Sequence, residues 1–346
     1  GSDDASGIAN YSIDIFSFDC SNIGPNTVTL TIEDNNGNTA SCTSQVTVED
    51  VLEPNALCQD LTIQLDALGD ASITVDQINN GSNDNCGVQS TSIDINTFDC
   101  SNVGPNTVTL SVADVNGNNA ACTATVTVED NVDPNALCQD LTIQLDASGN
   151  ASITVDQINN GSNDNCGVQS TSIDINTFDC SNVGPNTVTL SVADVNGNNA
   201  ACTATVTVED VTNPIANCQD VTVQLDANGA GVLSASDIDT GGSDACGVQT
   251  SSIPTEDQSW GCADVGIVHT VVLTITDVNG NPATCTSSVT VEDNIDPQAI
   301  CNDITIQLDA DGAASITFSD IDGGSADACG IQSIEIDSAD EDYDCS

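Results

Sequence analysis

Side chains that carry oxygen recur in this chain as a set. Each set joins a Glu-Asp pair, and the residue three positions after that Asp, to a later Asp, and the first three sets add an Asp-x-Asn-Gly-Asn block. The sets are Glu49, Asp50, Glu53, Asp84, Asp114 and Asn116; Glu129, Asp130, Asp133, Asp164, Asp194 and Asn196; Glu209, Asp210, Asn213, Asp244, Asp277 and Asn279; and Glu292, Asp293, Asp296 and Asp327. Carboxylates and amides without imidazole or free thiolate suit a hard cation with six to eight oxygen ligands, so the expected ion is Ca²⁺ and not Zn²⁺. Asp and Asn also favour turns for local reasons. Turn chemistry explains each residue singly but not the recurrence of Glu-Asp-x-x-Asp/Glu-Pro with Asp-x-Asn-Gly-Asn. No set combines nucleophile, base and oxyanion donors, so no enzyme is expected.

The charge balance narrows the partners. The chain has 346 residues, no Lys or Arg, one His and 53 Asp plus Glu, for a formal net charge of −53. Without a basic side chain there is no phosphate clamp, no nucleic-acid surface and no attraction to anionic lipid. No apolar run is long enough to span a bilayer, so direct membrane insertion is not expected. Cations must neutralise the surplus. Seventeen cysteines beside a single His point to disulfides and an oxidising compartment.

These residues sit on an internal repeat. Asn55–Asp130 recurs as Asn135–Asp210, a shift of 80 residues, with only Leu68/Ser148 and Asp70/Asn150 changed. The cysteines form four series on the same period: Cys58, Cys138, Cys218, Cys301; Cys86, Cys166, Cys246, Cys329; Cys20, Cys100, Cys180, Cys262, Cys345; and Cys42, Cys122, Cys202, Cys285. The expected organisation is a partial repeat over 1–50, repeats over 51–130, 131–210 and 211–293, and a partial repeat over 294–346. Gly1 aligns with Gly81 and Ser346 with Ser101, as expected for a window onto a longer array. His269 and Trp260 fall in the repeat that carries extra residues at 254–261, where drift in a loop is a simpler reading than a specialised binding loop.

Within a repeat, apolar residues alternate with polar ones: Leu61, Ile63, Leu65; Val108, Leu110, Val112; Ala124, Val126, Val128. Period-2 patterning with turn signals predicts an all-β fold, a tandem array of immunoglobulin-like β-sandwiches with about seven short strands each. If first and last strands run parallel along one edge, Cys58 meets Cys122, and correspondingly Cys138–Cys202 and Cys218–Cys285. Cys86 and Cys100 flank a strand and its return, which suggests Cys86–Cys100, Cys166–Cys180, Cys246–Cys262 and Cys329–Cys345. Four cysteines allow three connectivities. Cys20 is then left without its partner, because Ser6 stands where Cys86 would. The same topology brings each Glu-Asp linker to the top loops of the next repeat, so Ca²⁺ at the joint would stiffen it.

The blocks Ala56-Leu57-Cys58-Gln59-Asp60, Asp84-Asn85-Cys86-Gly87-Val88, Phe98-Asp99-Cys100-Ser101-Asn102-Val103-Gly104 and Asp114-Val115-Asn116-Gly117-Asn118 resemble the hyalin-type (HYR-like) immunoglobulin-fold repeats of very large Bacteroidota surface proteins, including flavobacterial gliding-motility adhesins of the SprB type. The resemblance covers the whole chain. The cysteine in Phe-Asp-Cys-Ser departs from the hyalin pattern and favours the short-loop pairing. The resemblance implies an extracellular, cell-surface stalk or filament projecting an adhesive tip, its partners the neighbouring repeats of the same chain or fibre. In the alternative reading the repeats themselves bind polysaccharide or another surface. Each repeat would add on the order of 40 Å.

Overall fold

The computed structural model describes residues 2–336 and 342–343. The elements from Leu61 to Glu129 show the repeated pattern. Six strands form, one fewer than expected, because Val75–Ile78 closes into a single helical turn capped by Thr74 and Gln77. A four-stranded sheet runs in the order Leu61–Gln64, Asn119–Glu129, Gly104–Asp114, Val88–Ile93, and a two-stranded sheet pairs Asp70–Ser72 with Thr97–Asp99. The first strand is parallel to the last, Leu61 opposite Val126 through Gln64 opposite Glu129. The long hairpin is antiparallel, Gly104 opposite Val128. The edge strand joins it with a bulge between Val88 and Ser90. Residues 211–293 repeat this order with Val221–Gln224, Pro282–Glu292, Val268–Asp277 and Val248–Ser252.

Side-chain alternation explains the layers. Val108, Leu110 and Val112 on one hairpin arm and Ala124, Val126 and Val128 on the other face inward, where Leu65, Ile73, Ile78 and Phe98 cover them. Each of these large apolar side chains contributes about 1.5–3 kcal/mol by leaving water. Trp260 takes the place of Phe98 in the repeat over 211–293; it is buried in the core beside Leu233 and Val271. Its ring meets that of His269 in a tilted contact, centroids 4.7 Å apart and planes at 59°, so the extra loop there delivers a core residue.

The described chain divides into two compact units, Gly1–Cys138 with Asn159–Ile173 and Thr189–Cys202, and Gln139–Ile158 with Asp174–Val188 and Thr203–Ser346. The dividing line passes through 131–210. No helix among the described residues is long and apolar enough to cross a membrane.

Disulfides fall into two kinds. Cys58–Cys122, Cys138–Cys202 and Cys218–Cys285 close within a repeat. The second kind corrects the expected short loops. Cys20 bonds Cys86, Cys100 bonds Cys166, Cys180 bonds Cys246 and Cys262 bonds Cys329, each joining one repeat to the next. Cys86–Cys100, Cys166–Cys180 and Cys246–Cys262 therefore do not form, and Cys329 is not free for Cys345, which lies outside the described residues. The reason is strand geometry. Pairing of Val88 with Asp114 puts Cys86 at the top of the repeat, whereas pairing of Asp70 with Asp99 puts Cys100 at the bottom. A nearly extended segment holds the two sulfurs too far apart to bond, and each meets the cysteine at the facing end of a neighbour. Among the described residues, Cys42 and Cys301 are free and exposed.

Candidate metal centre

Strand parity decides which acidic residues reach the joints. Along Asn119–Glu129 the inward positions are Ala124, Val126 and Val128, so the next inward residue is Asp130 and the outward one is Glu129. Asp130 is 5% exposed. Glu129 instead accepts a hydrogen bond from the Gln64 amide at 2.6 Å on the outer face. By the same parity Asp114 and Asp194 end the inward row of their strands and are fully buried.

At the joint after Glu129, Asp130, Asp164 and Asp194 each bring a carboxylate oxygen into a group whose members all lie within 4.8 Å of one another. The inner hydrogen bonds leave one side of this group bare. Asp194 Oδ1 accepts from the backbone N–H of Asn196 at 2.9 Å and of Asn198 at 2.8 Å, and Oδ2 accepts from the Asn198 amide at 2.8 Å. Asp164 Oδ2 accepts from the N–H of Cys166 and Gly167 at 2.8 and 3.0 Å. Asp130 Oδ1 accepts from the N–H of Val132 and the Asn165 amide, both at 3.2 Å. Asp130 Oδ2, Asp164 Oδ1 and Asn196 Oδ1 are buried and have no donor. Unpartnered buried acceptors are uncommon, and here they occur in and beside a carboxylate group, in a chain with no Lys or Arg.

The preceding joint repeats the arrangement with Asp50, Asp84 and Asp114, again within 4.8 Å, and with Asp50 Oδ2 and Asn116 Oδ1 buried without a donor. At the following joint the group comprises Asp210, Asp244 and Cys246. Cys246 is disulfide-bonded and offers no thiolate. Asp277 is buried and bound by the amide and N–H of Asn281, and Asn279 is exposed. Asp293 and Asp327 are half-buried at the last joint. Glu49, Glu53, Asp133, Glu209, Asn213, Glu292 and Asp296 are exposed and take no part in these groups.

Two sets of residues escaped the sequence reading. Asn118, Asn198 and Asn281, the last residues of their Asp-x-Asn-Gly-Asn blocks, donate their amides to the linker carbonyls of Asp50, Asp130 and Asp210 at 3.2, 3.0 and 3.1 Å. Asn165 also donates to the carbonyl of Asp66 at 3.1 Å, tying the lower turn of 51–130 to the next repeat. Gly69, in the left-handed region at φ +81°, makes room there: a Cβ would lie 2.6 Å from Cys100 Sγ and 3.2 Å from the Asn165 carbonyl oxygen.

The turn carboxylates hold their charge. Burial raises the pKa of Asp114, Asp194 and Asp277, but the Asn amide and backbone N–H donors outweigh it and set each below the ordinary value of 3.8. The groups at Asp50, Asp84 and Asp114 and at Asp130, Asp164 and Asp194 consist of carboxylates and are partly orphaned, which fits a hard divalent cation. Asp130, Asp164, Asp194 and Asn196 are the residues that would hold it.

No protein-family profile matches the chain. It is similar to Hyalin of Strongylocentrotus purpuratus, 28% identical over an alignment of 339 residues that covers 90% of this chain and 27% of that one. The chain therefore spans about a quarter of the relative's length. Among solved structures it is similar to the protocadherin gamma B4 extracellular domain (15% identity, 88% of this chain and 64% of that one, TM-score 0.32). It is also similar to titin domains I67–I69 (11% identity, 70% of this chain and 100% of that one, TM-score 0.28). Likeness at this level bears on neither ligand nor partner. The fold is a tandem array of disulfide-bonded β-sandwich repeats, and its bridges point to an oxidising compartment.

Proposed function

We propose that the chain is part of a non-enzymatic, extracellular stalk or filament of a bacterial cell-surface adhesin, with Ca²⁺ stiffening the joints between its repeats. The observation that carries this reading is the set of buried, donorless oxygens of Asp130, Asp164 and Asn196 beside Asp194, at a joint. Bound Ca²⁺ would supply positive charge that no side chain here offers. The protein's own residues fix the linker against the next repeat: Asn198 holds the Asp130 carbonyl, and Asn165 holds both Asp130 and Asp66. The repeat boundaries at 50/51, 130/131, 210/211 and 293/294 set the joints. The block resemblance supports a Bacteroidota surface protein of the SprB type, and the partners are neighbouring repeats of the same chain or fibre.

Small-angle scattering of the disulfide-intact chain tests the joint. A chelator should broaden the distribution of end-to-end distances, and added Ca²⁺ should narrow it. Identical curves in both states would overturn the stiffening role. Binding of isolated repeats to polysaccharide would move adhesion from a distal tip to the repeats themselves.

A further inference from the structure

Independently of any cation, the disulfide connectivity changes how the chain carries a pull. The bridged loops Cys20–Cys86, Cys58–Cys122, Cys100–Cys166, Cys138–Cys202, Cys180–Cys246, Cys218–Cys285 and Cys262–Cys329 overlap without a gap. Every peptide bond from Cys20 to Cys329 lies inside at least one of them.

Two covalent rails that share no bond connect these ends. The first crosses from Cys20 to Cys86, follows the backbone to Cys100, crosses to Cys166, follows it to Cys180, crosses to Cys246, follows it to Cys262 and crosses to Cys329. The second follows the backbone from Cys20 to Cys58, crosses to Cys122, continues to Cys138, crosses to Cys202, continues to Cys218, crosses to Cys285 and ends at Cys329. The remaining segments are rungs. They carry much of the core, Ile73 and Ile78 in 58–86 and Val108, Leu110 and Val112 in 100–122.

We propose that this ladder makes the array a tether that resists extension and survives any single backbone cleavage between Cys20 and Cys329. The first rail has 14, 14 and 16 peptide links, 44 in all, plus four bridges with Cα–Cα distances of 5.3, 5.2, 5.2 and 5.0 Å. Pulled straight it reaches about 170 Å, against roughly 1,000 Å for the unbridged backbone. It also has little slack, because Val88–Ile93 and Thr97–Asp99 between Cys86 and Cys100 are already extended strands. Tension therefore passes along the rails and does not unravel the sandwiches.

The absence of Lys and Arg makes the test clean, since Asn131→Arg creates the sole trypsin site. Residue 131 lies in the linker, inside the Cys100–Cys166 loop alone. Trypsin is applied in mild urea without reductant, and the products are run with and without reductant in a denaturing gel. The two pieces should stay joined until reductant is added. In a Cys100→Ser/Cys166→Ser background they should part without it. Parting of the N131R chain without reductant, or pieces that stay joined in the double-serine background, overturns the ladder. Single-molecule pulling from handles beside Cys20 and Cys329 gives a second readout. The oxidised chain should stop near its rail length and gain about sixfold in contour on reduction. Release of repeat-sized steps, roughly 270 Å each, from the oxidised chain would contradict it.

Discussion

The joint at Asp130, Asp164 and Asp194 and the joint at Asp210, Asp244 and Asp277 carry the same acidic residues at corresponding positions, yet they are built differently. In the first, three carboxylates close to within 4.8 Å and Asn196 Oδ1 is buried without a donor. In the second, Asp277 is outside the close group and Asn279 is exposed. The linker Asn131-Val132-Asp133 becomes Val211-Thr212-Asn213, and one loop substitution removes an amide. Asn165, whose amide bonds Asp130 and the Asp66 carbonyl, is replaced by Ala245. Acidic residues are thus not sufficient for a closed site; the amides that hold linker and loop together decide how tightly it forms.

The staple sets the largest effect and should be equal at the two joints. Cys100→Ser/Cys166→Ser and Cys180→Ser/Cys246→Ser each open a loop of 66 residues, which costs about 4 kcal/mol in the chain-entropy model. Denaturant unfolding of both variants would show equal losses; a clearly smaller loss at one joint would place the asymmetry in the disulfides. Cation binding should separate the joints next. Asp130→Asn removes a charged ligand from the closed site and should weaken Ca²⁺ about tenfold or more, one charge-assisted contact being lost. Asp210→Asn should weaken it less, as read by isothermal titration of each single variant.

The amide exchange gives the smallest and sharpest contrast. Asn165→Ala should lower stability by about 1 kcal/mol, and Ala245→Asn should raise it by a similar amount if the amide finds its two acceptors. Equal, negligible effects would remove Asn165 from the explanation. Acid should act on both joints alike. Asp114, Asp194 and Asp277 are held below 3.8 in the folded chain. The unfolded chain takes up protons near that value while these groups stay ionised. Stability is therefore fully present above it and falls as pH drops through the lowered folded values. Asp194→Asn and Asp277→Asn, measured across this window, should flatten the fall to the same extent.

Much of this was legible in the residues. The alternation of Val108, Leu110 and Val112 with Thr and Ser announces a half-buried strand, and the 80-residue recurrence announces the array. Parity also distinguishes Asp130 from Glu129, because the inward row of Ala124, Val126 and Val128 continues to Asp130; treating the pair as one unit blurred that signal. The disulfides across joints were not legible from one repeat. Cys86 and Cys100 are near in sequence but separated by extended strand, and their partners belong to neighbours. The helical turn at Val75–Ile78 was not read from the sequence; Gln77 Oε1 accepts the N–H of Thr74 at its start.

The most direct test of the joint account is calorimetric unfolding of the disulfide-intact chain in Ca²⁺ and after exhaustive chelation, compared with a chain carrying Asp50→Asn, Asp130→Asn and Asp210→Asn together. The account predicts a higher Tm in Ca²⁺ for the unsubstituted chain and no difference for the triple variant. An unsubstituted chain whose Tm ignores the chelator would contradict it.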